Sequence, residues 1–175
     1  MRRRDRQMSE DDTQRVVEHA SFGTISMIDE EGNAYGVPVS YAYHQGVLYI
    51  HGAKEGKKVR AFEKNPAVSM SIVDSHQVPG PITKEEYEQV IAEHGSVLPF
   101  LKNRFTTEFR SAIVTGQILT VTDEEERALA LRVICQKYTP YNQDYIEEAV
   151  QVGLAYTGVY KLVIDTQIGK EKRIP

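Results

Sequence analysis

The stretch "LYIHGAKEGKKV", Leu48 to Val59, gathers residue types that could do chemistry. A short apolar run ends on His51. It then enters a small-residue loop with Gly52 and Gly56, and three lysines follow, Lys54, Lys57 and Lys58. Glycines at these positions let the backbone turn tightly, so that its N–H groups can converge on an anion. Lys57 and Lys58 open a helical pattern, where unpaired N–H groups and the helix dipole already attract negative charge. Lysine is electrostatically the wrong residue at the start of an isolated helix. A bound phosphate would resolve that conflict, and conflicts of this kind concentrate at functional sites. The alternative left open by the pattern alone is a solvated turn with exposed lysines. "GAKEGKK" is not a nucleoside-triphosphate loop, because it lacks the hydroxyl residue that holds magnesium.

His51 has two readings on spacing: a structural hydrogen-bond partner at a strand end, or a side chain that exchanges a proton near neutral pH. No histidine, carboxylate or cysteine stands at metal-ligand spacing from it. His19, His44, His76 and His94 fall on unrelated segments, so no metal is expected. The single cysteine, Cys135, excludes an internal disulfide and reads as a small core residue of an amphipathic helix. Tyr35, Tyr41, Tyr43 and Tyr49 alternate along two strand patterns and suit a core, a dimer contact or a planar ligand. Arg110 and Ser111 open a long strand pattern and would reach the same site if that strand pairs nearby.

A chain of 175 residues with 41% hydrophobic and 26% charged residues fits one domain with a real core, spanning 1–175. The formal net charge of −4 means that any anion site is local rather than a property of the whole surface. A nucleic-acid surface built from "MRRRDR" and the lysine cluster is opposed by this charge and by the adjacent "SEDD". Apolar runs fall well short of the roughly 20 residues a membrane helix needs, and no secretory signal follows the basic start. The expected location is the cytoplasm, with neither membrane nor nucleic acid as partner.

The elements that must position these residues follow from periodicity. Ser9 and Asp12 form a capping box for a first helix carrying Val16, Val17 and Ala20. Strands are expected at Phe22–Ile28, Tyr35–Tyr43 and Val47–His51, joined by short turns into an antiparallel meander. Pro38 belongs at a strand edge, or where the sheet opens toward something else, because it has no N–H to give a ladder. A helix over "KKVRAFEKN" and a strand Ala67–Val73 follow. The inserted segment of about 77–105 holds a helix capped by Thr83 and Glu86, then the less regular "SVLPFLKNRF". After it come a long strand Phe109–Val121, free to bend at Gly116, and a helix capped by Thr122 with Leu129, Leu131, Val133 and Ile134 inward. A helix around Gln143 to Val152 and a last strand complete the chain. Strands and helices in non-alternating blocks indicate an α+β fold with an antiparallel sheet curled into a barrel.

Taken together, "MRRRDR" before a helix, "GNAYGVPVSYAY", "LYIHGAKEGKKVRAFEKNP", "FRSAIVTGQI" and the final "GKEKR" resemble the pyridoxamine-phosphate-oxidase-like FMN-binding split β-barrels, and within them the nitroimidazole-resistance group. The resemblance implies an antiparallel split barrel with flanking helices and a homodimer with FMN at its interface. It places the flavin ring along Val37, Pro38, Val39 and Ser40, the phosphate at Lys57 and Lys58, and the ribityl chain near Gly52 and Ala53. Arg110 and Ser111 match positions that also reach the flavin, and His51 matches a histidine near the ring, as the proton donor. The implied activity is FMN-dependent reduction of nitroaromatic, 5-nitroimidazole-type or other small planar acceptors. The alternative is a non-catalytic flavin- or haem-binding storage protein. The segment Gln77–Lys102 exceeds the usual link and reads as a lid or as packing on the barrel.

Overall fold

A computed structural model describes residues 3–174; Met1 and Arg2 of the "MRRRDR" start lie outside them. Helix α1 (Glu10–His19) starts where Ser9 Oγ accepts the Asp12 N–H at 3.1 Å, and Glu10, Asp11 and Asp12 complement its dipole. Its face of Thr13, Val16 and Val17 is buried. Strands β1 (Gly23–Ile28), β2 (Ala34–Val39), β3 (Tyr41–His44) and β4 (Val47–Gly52) lead into α2 (Lys57–Lys64) and β5 (Ala67–Gln77). Helices α3 (Lys84–His94) and α4 (Leu98–Arg104) interrupt the chain before β6 (Glu108–Thr120). Then come α5 (Glu124–Tyr138), α6 (Ile146–Tyr156) and β7 (Gly158–Lys172).

The seven strands form one antiparallel sheet in the order β2-β1-β5-β6-β7-β4-β3. No ladder joins the two edges, yet β2 and β3 are separated in sequence by Ser40 alone. Opposite edges one residue apart force the sheet to curl into a split barrel. The continuous strand expected at Tyr35–Tyr43 is thus broken at Ser40. Its first half pairs with β1 and its second with β4, so the expected meander is divided between two edges. Pro38 lies opposite Thr24 on the edge strand β2, where a missing N–H breaks no ladder. The Tyr138 hydroxyl serves the corner: it accepts the Tyr41 N–H at 2.9 Å and donates to Ser21 O at 2.6 Å.

The barrel interior buries Ile25, Tyr41, Leu48, Ile50, Met70 and Leu162 against Val16 and Val17 of α1. A second cluster packs α5 and α6 on the outside of β3, β4 and β7, through Ala42, Tyr49, Ala130, Leu131, Ile134 and Val150. The inward stripe of α5 is therefore Ala130, Leu131 and Ile134, with Val133 only half-buried against it. Its cap is Asp123, not Thr122, whose carboxylate accepts the Glu126 N–H at 2.8 Å. Gly116 marks the expected bend: the β6–β7 register shifts there, and a Cβ would come within 1.9 Å of the Val163 carbonyl oxygen. The stretch "SVLPFLKNRF" is more regular than expected and forms α4, with Pro99 in its first turn. Neither α3 nor α4 has a single buried residue.

Candidate functional site

Strand β4 delivers His51 and Gly52 to the start of the loop, where they pair with Val159 and Gly158 of β7. The loop is pinned from below, because the Tyr160 hydroxyl donates to Ala53 O at 2.6 Å and Phe62 meets the Tyr160 ring edge-on at 5.5 Å. Gly56 (φ +121°) caps α2 without a side-chain acceptor, and no acid stands in the first turn, so no side chain caps its first N–H groups.

The two lysines of that turn behave differently. Lys57 Nζ lies 2.9 Å from Oδ2 of Asp29, a carboxylate with no exposed side-chain surface, and 4.8 Å above the Tyr35 ring. This ammonium, with the backbone N–H groups of Asn33 and Glu31, holds the Asp29 carboxyl down at about 2. Lys58 is half-buried and has no carboxylate partner among the described residues; its Nζ lies 5.9 Å from the Tyr160 ring centroid. Burial pushes its pKa down. A Cβ on residue 52 would come within 2.9 Å of this Nζ, so glycine is what lets the ammonium sit against the strand end. Desolvation, and then the Lys58 charge, hold the His51 imidazole below its ordinary value. Lys54 donates to the carbonyl of Ala155 at 2.5 Å.

The β3–β4 register, extended by one residue from Tyr41 opposite Ile50, brings Ser40 to His51. Val37 and Val39 point toward the barrel interior, whereas Pro38 and Ser40 are exposed. The structure thus gathers Ser40, His51, Gly52, Ala53 and Lys58 at one corner. It does not bring Arg110 and Ser111 there. They lie opposite Glu171 and Lys170, while His51 lies opposite Val159 at the other end of β7. At roughly 3.3 Å per residue that is up to about 40 Å of strand. Arg110 is ringed by Asp74 at 3.6 Å, Glu171 at 3.7 Å and Asp12 at 4.0 Å, and its Nε has no hydrogen-bond partner. Ser111 borders a cavity of about 300 Å³ with Ile113, Ile168 and Lys170.

Sequence reasoning missed three participants. Asp29 sits in "DEEGN", which signals only a turn, yet it accepts from the Glu31 and Asn33 N–H groups and claims Lys57. Tyr160 anchors the loop from a strand that looks like any other. Lys137 places its ammonium 4.1 Å above the Tyr41 ring beside the Ser40 corner, without a hydrogen-bond partner, and burial pushes its pKa down to about 8. No local pattern marks it. Among the described residues no group of three His, Cys, Asp or Glu side chains could hold a metal ion, and no helix is long and apolar enough to cross a membrane.

Residues 9–93 match the family model of pyridoxamine 5'-phosphate oxidase. No curated protein matches the sequence. Among solved structures, a proposed 5-nitroimidazole antibiotic resistance protein from Bacteroides thetaiotaomicron is 23% identical, with a TM-score of 0.67 over 94% of this chain and 86% of that one. A conserved hypothetical protein from Mycobacterium tuberculosis is 16% identical, with a TM-score of 0.72 over 97% and 88%. A FAD- and haem-binding protein from Mycobacterium smegmatis is 17% identical, with a TM-score of 0.72 over 96% and 74%.

Proposed function

We propose that this chain, pyridoxamine 5'-phosphate oxidase-like in the sequence of its first half and in its whole fold, binds FMN between two copies and reduces small planar acceptors of the nitroaromatic kind. The observation that carries this reading is Lys58: a half-buried ammonium without a carboxylate partner among the described residues, beside a helix start with no side-chain cap and the Gly52–Gly56 loop. That donor set fits a phosphate monoester, since an ammonium and converging N–H groups stabilise a dianion at close range. The names of similar proteins, one FAD- and haem-binding and one linked to 5-nitroimidazole resistance, agree with a flavin and with such acceptors.

In this reading Lys58 and the first turn of α2 hold the phosphate, Gly52 and Ala53 give room for the ribityl chain, and Val37, Pro38, Val39 and Ser40 border the ring. Lys57, already held by Asp29, adds to the field rather than closing on the ligand. Bound there, a flavin supplies hydride transfer to the acceptor. His51 supplies the proton. Its depressed pKa keeps it neutral near pH 7 until a bound anion offsets Lys58 and draws a proton onto the ring. Arg110 and Ser111, at the far end of the sheet, meet this corner only if a second copy brings them. Outward-facing Val73, Ile113 and Ile168 on β5, β6 and β7 offer the apolar surface for that homodimer.

The test of the reaction is steady-state reduction of a 5-nitroimidazole with NADH or NADPH by the FMN-loaded protein. His51→Ala is expected to keep its bound flavin and lose turnover by about 10²-fold or more, the contribution typical of a positioned acid. Unchanged turnover removes His51 from the mechanism. Absence of any turnover in the loaded wild-type protein would instead favour a non-catalytic flavin or haem carrier.

A further inference from the structure

The helical hairpin between β5 and β6 is unlike the rest of the molecule. Its eighteen helical residues, the 11 of α3 and the 7 of α4, include none that is buried. Around them Tyr87, Ile91, Leu98 and Phe105 stand exposed, Phe105 to 79%. A groove of about 430 Å³ between the helices, lined by Val90, His94, Pro99 and Phe100, is open as well. Amphipathic helices fold because a face is covered, and none of the described residues covers this one. The hairpin is nonetheless built: Thr83 caps α3, Gly95 ends it at φ +64°, and Arg104 pairs with Glu86 across the two helices. Its root is tied down where Lys172 meets Thr106 and the Ile174 N–H donates to Glu108.

The uncovered surface does not stop at the hairpin. It continues down the same ribbon through Val78 and Val73 to Ile113 and Ile168, on the outer face that no helix of this chain covers. A face that is continuous and unpartnered suits a second copy, because a two-fold axis lets one patch cover itself. With the axis across the strands, the Glu108–Ser111 end of one copy meets the other copy's His51–Val159 end. That arrangement reunites the two halves of the site that one chain keeps up to about 40 Å apart. It also lands the hairpin, rooted at Gln77 and Glu108, over the partner's loop. The charges agree. Of the four glutamates of α3, Glu86 is paired with Arg104 and Glu88 with Lys84, which leaves Glu85 and Glu93 without a lysine or arginine, and the loop carries Lys54 and Lys58, neither with a carboxylate partner among the described residues.

We infer that the α3–α4 hairpin is an arm that closes over the flavin site of the second subunit, so that each site is lidded in trans. This rests on the flavin reading and goes beyond it: the arm, with Phe100 and Phe105, is then the element that closes the acceptor side of the site.

The test uses mixed dimers, co-expressed with two affinity tags and purified on both. One chain has residues 79–105 replaced by a glycine–serine linker; the other keeps its arm and carries Lys58→Ala with His51→Ala. FMN is the probe, and quenching of flavin emission by iodide is the reading. The armless homodimer is expected to bind FMN with its emission open to iodide. In the mixed dimer, with FMN kept below the level that fills the weakened site, the flavin at the site with Lys58 from the armless chain is expected to regain the wild-type shielding. If that flavin stays as open as in the armless homodimer, the arm does not act in trans and the inference falls. Leu98→Glu with Phe105→Glu in an otherwise intact chain repeats the test without a deletion; wild-type shielding there would also overturn it. Failure of the wild-type protein to bind FMN overturns the flavin reading itself, whereas FMN binding by a monomer overturns the arm alone.

Discussion

At the scale of single residues, neighbouring lysines of one helical turn have opposite duties. Lys57 neutralises a carboxylate with no exposed side-chain surface; Lys58 lies against Gly52, which leaves its ammonium space. Lys58→Ala is therefore expected to weaken FMN binding by about 10- to 100-fold, the worth of one hydrogen bond to a charged group, with the folded state little changed. Lys57→Ala is expected to do the reverse. It weakens FMN less, but leaves Asp29 with backbone donors alone and is expected to lower the urea midpoint of unfolding. Equal effects of the two substitutions on FMN affinity would contradict this division.

His51 reports on the same charge. Because its folded pKa is lowered, the unfolded chain takes up the proton first. Its contribution to stability is thus present above the ordinary histidine value near 6.5 and is lost as pH falls below it. Loading the site with phosphate charge is expected to raise the His51 pKa, followed by NMR of the imidazole protons with and without FMN. A value unmoved by FMN would place the phosphate elsewhere.

At the scale of elements, the β2–β3 corner has the strongest physical constraint. Three groups from α5 and β3 converge there: the Tyr138 hydroxyl, the Tyr41 backbone and the Lys137 ammonium over the Tyr41 ring. Lys137 has its pKa lowered to about 8, so its buried charge opposes folding below that pH. The penalty is relieved as pH rises through about 8 toward the ordinary lysine value. Lys137→Met keeps the apolar stem and is expected to stabilise the protein by about 1 kcal/mol at pH 7, after allowing for partial exposure and the lost contact with Tyr41. Urea unfolding at pH 7 and pH 10 checks this, and the gain should shrink at the higher pH. The corner also shows where sequence stops being informative. Period-2 alternation from Tyr35 to Tyr43 suggests one strand, but it does not say that the strand breaks and changes partners at Ser40. That change is decided by Tyr138, 98 residues later, and by the need of two edges to meet. Caps were legible because they are local: Ser9 and Thr83 act within three residues. Thr122 lost its role to Asp123 for an equally local reason, the stronger carboxylate acceptor one position on.

At the scale of the whole molecule, a chain of net charge −4 concentrates an unneutralised cation at one corner of a split barrel. The corner itself was legible in "HGAKEGKK", because glycines, a histidine and lysines at a strand–helix junction are a local pattern. The separation of Arg110 and Ser111 from it was not, since strand order, not sequence distance, sets which ends of a sheet lie together. The same order leaves the outer face of β5–β6 and the helical hairpin without cover from the described residues. The proposed second copy would answer to both, covering that face and bringing Arg110 and Ser111 to the corner of its partner. The central claim beneath them is that Lys58 and the first turn of α2 hold a flavin phosphate. Its most direct measurement is titration of the flavin-free protein with FMN and, in parallel, with riboflavin, followed by flavin emission. The account predicts saturable binding of FMN, much weaker binding of riboflavin, and loss of that difference in Lys58→Ala. Equal affinity for FMN and riboflavin, or no uptake of either, would contradict it.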